Sequence, residues 1–365
     1  MKITHLSLTH FRSYSSLELP LTDGITIFVG RNGEGKTNIV ESILYLSYLT
    51  SHRVSSDQPL VQLGSTSAYV RAKVNTPQRD VLVEIEINAE KANRARINQN
   101  PVRSQRELFG IVQAIYFSPE DLDLVRGDPS MRRHFIDQLL TLRSPRLAGV
   151  ISDYERALKQ RNALLKSRAS DSSLASWDDQ VAKFGGEIIA ARISALADFE
   201  PYFQSSYAAI SSSKPATILY KSSIENPSTD PGENAEKILE RMRNTRSAEM
   251  ERGVTLTGPH RDDLLLTLGE TLVKGYASHG ESWSIALSLK LAMFHLLRND
   301  GLSPILILDD VFSELDEERR IHLIDIAKAS EQTLITVAVE SDLPASLSGE
   351  RFLVKSDSVT KMVSA

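Results

Sequence analysis

Cysteine is absent from all 365 residues. That removes disulfide scaffolds, thiolate zinc sites, iron–sulfur clusters and cysteine nucleophiles together, and it fits a reducing compartment. No stretch reaches the roughly 18 consecutive apolar residues of a membrane span. The start, Met1-Lys2-Ile3-Thr4-His5, lacks the apolar core of a secretory signal, so a soluble, non-exported, cytoplasmic protein is expected. Nor is there an excess of positive charge. The formal net charge of −5 excludes a uniformly basic nucleic-acid coat and leaves room only for a local basic patch. What remains is ordinary globular composition, 41% hydrophobic and 24% charged, which excludes wholesale disorder. The length suits two or three domains, or one large domain with an insertion.

The first hundred residues read as β-rich. Leu6 and Leu8, then Leu17, Leu19 and Leu21, alternate with polar neighbours, as do Val81, Val83, Ile85 and Ile87. Ile25–Val29 and Val112–Phe117 read as strands, and Ile39, Ile43, Leu46 and Leu49 are spaced as in a helix. From about Pro129 the period changes to three and four, through Leu147, Val150, Ile151, Tyr154, Leu158 and Leu165, then Val181, Phe184, Ile188, Ile193, Leu196 and Phe203. Pro145 and Pro201 are expected to bound these helices and keep them short. Ser170–Ser176 and Ser205–Pro231 read as loops. Buried-strand runs return at Ser303–Leu308 and Gln332–Val339. The expected fold is α/β, one domain assembled from both chain ends with a helical lobe inserted: 1–128, 129–250 and 251–365.

Residues 30–37 read Gly30-Arg31-Asn32-Gly33-Glu34-Gly35-Lys36-Thr37, a match to the phosphate-loop pattern, with an apolar strand before it and an amphipathic helix after it. Such a loop turns backbone N–H groups toward phosphate oxygens at the positive end of a helix. Lys36 is expected to reach the β- and γ-phosphates, and the Thr37 hydroxyl to ligate Mg²⁺.

Ile305-Leu306-Ile307-Leu308 ends in Asp309-Asp310. A buried parallel strand explains the apolar run. Paired carboxylates at its end repel and are costly to desolvate, and a bound cation resolves the conflict. Asp309 is then the Mg²⁺ carboxylate and Asp310 the base facing a water. Ser313, followed three residues later by Asp316, fits a helix start. Tyr276-Ala277-Ser278-His279-Gly280-Glu281 precedes another helix. It reads either as a cap or as a second phosphate site, and the latter makes sense only toward the ATP of another subunit.

This order of parts resembles ABC-type ATPase heads, shared by transporter subunits, SMC proteins and recombination ATPases. Further stretches resemble the RecF family: Ser118-Pro119-Glu120-Asp121-Leu122, Leu124–Pro129, Arg132-Arg133-His134-Phe135-Ile136-Asp137, the segment Ile307–Leu323, Phe11-Arg12-Ser13-Tyr14, and Gly258-Pro259-His260-Arg261-Asp262-Asp263. The resemblance implies an ATP-driven homodimer. Each ATP lies between the loop at Gly30, with Arg12 nearby, and Ser278, His279, Gly280 and Glu281 of the other subunit, and the loop with Ser313 and Asp316 communicates across that interface. It further implies binding to gapped DNA at single–double-strand junctions, RecO and RecR as partners in loading RecA, and slow hydrolysis.

The sequence departs from ABC heads in three ways. Asp310 replaces the usual glutamate. No glutamine follows the strand near Phe117, where Ser118 or Glu120 is the candidate stand-in. The last strand ends Val337-Ala338-Val339-Glu340 without a switch histidine. For DNA, residues 131–168 hold nine basic residues against three acidic, a balance of +6. Arg132, Arg133, Arg156, Lys159 and Arg161 are the candidate backbone contacts, against a plain solvated helix surface, and Arg132 and Arg133 can also be read as supports of the head–lobe junction. An SMC-type repair ATPase would need a far longer heptad insert. A transporter subunit would carry the missing glutamine and histidine. A DNA clamp that uses ATP only as a switch differs from the first reading in degree.

Overall fold

The computed structural model describes residues 1–211, 214–344, 347–356 and 358–362. In chain order the elements begin with β1 (Lys2–Phe11), β2 (Tyr14–Pro20), β3 (Gly24–Val29), α1 (Lys36–Tyr48), β4 (Ser67–Asn75), β5 (Asp80–Asn88), β6 (Arg94–Ile97), β7 (Asn100–Pro101) and β8 (Ala114–Phe117). Then follow α2 (Leu122–Arg126), α3 (Pro129–Arg143), α4 (Pro145–Lys166), α5 (Asp171–Ile210), β9 (Ala216–Lys221), α6 (Pro231–Arg252), β10 (Asp263–Leu268), β11 (Thr271–Leu272) and α7 (His279–Asn299). The chain closes with β12 (Ile305–Asp309), α8 (Glu317–Ala329), β13 (Gln332–Val337), β14 (Glu350–Lys355) and β15 (Ser358–Lys361). Among the described residues, no helix is long and apolar enough to cross a membrane.

The chain forms two compact units, Met1–Asp121 with Leu297–Ala365, and Leu122–Leu296. This division falls elsewhere than the expected boundaries at 129 and 250. β10 pairs antiparallel with β9 and β11 with β10, so the inserted unit runs on past residue 250 and contains a small sheet as well as helices.

The first unit holds two sheets. One is antiparallel, in the order β2-β1-β4-β5-β6-β7, and the other runs β15-β14-β3-β13-β12-β8, parallel from β14 to β8. The antiparallel strands alternate because one face meets the core and the other meets water. Leu6, Leu8, Val70 and Ile85 on that face pack in one cluster with Ile39, Ile43 and Leu44 of α1 and with Ile305 and Ile307 of β12. Residues Ile305–Leu308 are each 0% exposed. Each aliphatic side chain buried there contributes roughly 1.5–3 kcal/mol. Four of them outweigh the several kcal/mol that one partly desolvated carboxylate costs, so the strand can end in acid.

The second unit differs from the expectation in its helix lengths. Pro145 is the first residue of α4, where a missing N–H costs nothing. Pro201, expected to end a helix, lies inside the 40-residue α5. A mid-helix proline costs about 3 kcal/mol. Beyond it, Phe203 and Tyr207 are 0% and 1% exposed, and burying the Phe203 ring offsets much of that cost. Asp171 onward is therefore helix and not loop, with Ser170 accepting from the Ser173 N–H as its cap. The expected loop Ser205–Pro231 holds the end of α5 and all of β9; its Ser212 and Ser213 lie outside the described residues.

A buried polar network ties α4, α5 and α6 together. Arg161, fully buried, donates to Asp178 Oδ1 at 2.7 Å, Glu249 Oε2 at 2.6 Å and Thr255 Oγ1 at 2.7 Å. The Gly258–Asp263 stretch forms a second junction. His260 Nε2 donates to the Thr255 carbonyl at 3.1 Å, so its bare Nδ1 accepts the Tyr154 hydroxyl at 2.6 Å. Burial pushes its pKa down to about 4 and keeps the ring neutral. Arg132 makes a two-bond pair with Asp263, at 2.8 and 3.0 Å.

These contacts correct the reading of Arg132 and Arg161 as DNA contacts. One is 5% exposed and the other 0%, and both spend their guanidinium N–H groups inside the unit. Arg133 is half-buried and donates to the Asp262 carbonyl. Of the five, Arg156 and Lys159 stand exposed on α4. Arg161→Leu leaves Glu249 buried and unpaired and is expected to lower unfolding stability by about 3–5 kcal/mol, read as a fall in the urea midpoint. Arg156→Ala should stay within about 0.5 kcal/mol. A similar midpoint for both variants would contradict the network's role.

Candidate nucleotide site

β3 delivers the glycine loop at the carboxyl edge of the parallel sheet. Val29 is in register with Val337, and the Gly30 N–H donates to the Val337 carbonyl at 3.2 Å. A Cβ at Gly30 would lie 2.4 Å from the Val354 carbonyl oxygen of β14, so only glycine fits. Arg31, Asn32, Gly33 and Glu34 form a turn closed by the Glu34 N–H on the Arg31 carbonyl. Gly35 caps α1 at φ +102°, a conformation that L side chains rarely adopt. The N–H groups of Lys36 and Thr37 open α1 and have no preceding helical carbonyl to meet, at its positive end.

Lys36 is 3% exposed. Its ammonium donates to the Gly30 and Arg31 carbonyls at 2.7 and 3.3 Å and lies 3.8 Å from Asp310 Oδ2. Thr37 Oγ1 donates to Asp309 Oδ1 at 3.4 Å. Thr336, beside Asp309 in register, also donates to Oδ1, and the Tyr116 hydroxyl donates to Oδ2 at 2.9 Å. The phosphate loop and the acidic strand end, 272 residues apart, are thus one cluster.

The donor set suits magnesium. Thr37 and Asp309 offer hard oxygens 3.4 Å apart. Among the described residues no group of three or more His, Cys, Asp or Glu could hold a metal by itself. A cation here needs phosphate oxygens to complete its shell, as magnesium in nucleotide sites commonly does.

Asp310 follows with φ +52°, its N–H on the Thr336 carbonyl and hydroxyl. Burial raises its pKa above the ordinary 3.8, against the lowering pull of Lys36, and Asp309 beside it adds to the rise. The Ser313 hydroxyl donates back to the Asp310 carbonyl at 3.0 Å. The cap of α8 is Asp316, which accepts the Arg319 N–H at 3.0 Å; Ser313, the expected cap, sits in the preceding turn. Arg12 is committed chiefly to the fully buried Glu41, with bonds of 2.8 and 2.6 Å, and also donates to the Pro59 carbonyl.

In the second unit Ser278 and Glu281 form a reciprocal capping box on α7. The Ser278 N–H donates to Glu281 Oε2 at 2.8 Å, and the Glu281 N–H to Ser278 Oγ at 3.2 Å. Ser278 and His279 are exposed and Gly280 half-buried. The cap reading therefore has its hydrogen bonds, and the helix end remains open to solvent.

Spacing in the sequence marked Lys36, Thr37, Asp309 and Asp310. It missed Tyr116 and Thr336, which hold Asp309, and Glu41, which holds Arg12. Thr336 and Tyr116 reach Asp309 only through the pairing of β12 with β13 and β8, and no local pattern announces that.

A parallel sheet with the phosphate loop and acidic strand end side by side is the architecture of the ABC-type ATPase heads found in SMC proteins. Residues 2–350 match the family model of the RecF/RecN/SMC N terminal domain. DNA replication and repair protein RecF of Streptomyces avermitilis is 48% identical, over 99% of this chain and 100% of its own length. Its namesake in Kineococcus radiotolerans is 49% identical over 96% of each. A solved structure of the recombination mediator protein RecF-ATP in the RecFOR pathway matches with TM-score 0.90 at 26% identity, covering 99% of this chain and 97% of that one. An Smc head bound to the C-winged helix domain of ScpA, at 16% identity and TM-score 0.58, covering 99% of this chain and 97% of that one, shares the fold. The chain belongs to the RecF family.

The raised pKa of Asp310 has a consequence for stability. A carboxylate whose folded pKa lies above its unfolded value destabilises the fold above the folded pKa and has no such effect below the unfolded one. Asp310→Asn should therefore raise the melting temperature at neutral pH. The gain should fade on acidification into the ordinary carboxylate range. Scanning calorimetry across pH checks this, and a lowered or pH-independent midpoint would contradict it.

Proposed function

We propose that this chain binds ATP with Mg²⁺ and acts on DNA in recombinational repair and replication, as an ATP-dependent homodimer with slow hydrolysis. The observation that supports this best is the meeting of Lys36 and Thr37 with Asp309 and Asp310 at the aligned ends of β3 and β12. Backbone N–H groups of the loop and of the first turn of α1 bind phosphate oxygens. Lys36 carries positive charge to the same oxygens. Thr37 and Asp309 hold the cation, and Asp310 orients a water and accepts its proton. Magnesium, when bound, neutralises phosphate charge. An aspartate base, one methylene shorter than glutamate, fits slow turnover. Ser278, His279, Gly280 and Glu281 offer the open end of α7 to the ATP of a second copy, and Ser313 and Asp316 lie in the loop after Asp310 that faces the same phosphates. Arg156 and Lys159 contribute phosphate-backbone contacts to DNA, at gaps where single and double strands meet. The names of the relatives place them in replication, repair and the RecFOR pathway; RecO and RecR are accordingly the partners proposed for this chain, and RecA the protein they help to load.

Light scattering after gel filtration tests the reading. The wild-type chain should double in mass only with ATP and Mg²⁺. Ser278→Arg should stay monomeric while still binding ATP, and Lys36→Ala should lose both. A mass indifferent to ATP in the wild type, or normal dimerisation of Ser278→Arg, would overturn the trans arrangement.

A further inference from the structure

Asp309 is gripped on both oxygens. Oδ1 faces Thr37 and accepts from Thr336, whereas Oδ2 accepts from Tyr116 at 2.9 Å. Tyr116 lies on β8, beside Ile307 of β12, and so shares a sheet face with Asp309 two residues further on. The Ser118 side chain lies near the Tyr116 hydroxyl. Ser118 is 2% exposed, and its N–H is fixed on Asp121, the residue with which this stretch of the first unit ends. The His52 ring packs against the Tyr116 ring, with centroids 4.5 Å apart. Three hydroxyls, those of Tyr116, Thr37 and Thr336, thus surround the Asp309 carboxylate at the cation position.

We propose that Tyr116 is a positioning residue for the metal carboxylate: by donating to Oδ2 it fixes the plane of Asp309 and directs Oδ1, the oxygen beside Thr37, to the cation. Ser118 orients the phenol for that task. This rests on the reading of the site as one for metal and ATP. A carboxylate free to rotate offers either oxygen, whereas one pinned by an outer hydrogen bond offers a single, preorganised ligand. Thr37 and Thr336 stand on the Oδ1 side and Tyr116 on the Oδ2 side, so the phenol hydroxyl fixes which oxygen meets the metal.

The test uses the full chain with Mn²⁺ as the probe, because its binding and coordination are read by electron paramagnetic resonance. Tyr116→Phe keeps the ring against His52 and removes only the hydroxyl. It should weaken Mn²⁺ binding in the presence of ATP by about tenfold, the low end for loss of an outer partner of a metal ligand, and change the Mn²⁺ spectrum. ATP affinity in the presence of EDTA should not change. Ser118→Ala should shift Mn²⁺ affinity in the same direction by a smaller factor, and it decides the matter if the phenylalanine variant does not fold. Unaltered Mn²⁺ affinity in the variants overturns the proposal while leaving the ATP site intact. Equal losses of ATP binding with and without metal also overturn it, by making Tyr116 merely structural. A wild-type chain that binds no ATP would overturn the site reading, and this proposal with it.

Discussion

Two adjacent carboxylates at the end of a strand buried on both faces are the constraint around which the first unit is arranged. The aliphatic run before them requires a central position in a parallel sheet, between β8 and β13. That position removes water from Asp309 and partly from Asp310. Their charge then has to be met by protein donors and cations. Thr336 and Tyr116 come from the two neighbouring strands, and Thr37 and Lys36 come from the glycine loop two strands away. Parallel register aligns the strand ends, so all four groups arrive on one edge of the sheet, where ligands of open α/β sheets bind.

The inserted unit solves a different problem. Its helices are rich in arginine, and much of that charge is turned inward. Arg132, Arg161 and Arg192 each hold a carboxylate at close range, and the fully buried Arg161 joins three segments far apart in the chain. Removing one member of such a set leaves the other charge stranded, so the network specifies how the helices meet. The charge balance of the segment is real, yet what it offers to solvent is less basic than the count suggests.

Much of this was legible in the sequence where one residue type has one physical use. The loop from Gly30 to Thr37 and the strand Ile305–Asp310 fall where spacing and apolar runs put them, because the phosphate-loop turn demands glycines and a two-faced strand demands continuous aliphatics. The same reasoning failed at Pro201. A proline rule is local, whereas Phe203 and Tyr207 are buried by tertiary packing that the rule does not see. It failed again at Arg161, since a buried and an exposed arginine look alike until Glu249, 88 residues away, is brought beside it. Tyr116 was illegible for a related reason. It reads as an ordinary strand aromatic, and its use comes from the strand beside it.

The central claim is that Thr37 and Asp309 form half of a magnesium site that only nucleotide phosphates complete. Calorimetric titration of ATP into the wild-type chain, with Mg²⁺ and with EDTA, tests it most directly. The expected result is binding in both cases, tighter with Mg²⁺, and no uptake of Mg²⁺ in the absence of nucleotide. Identical ATP affinity with and without Mg²⁺ would contradict the claim, and so would tight Mg²⁺ binding by the chain alone.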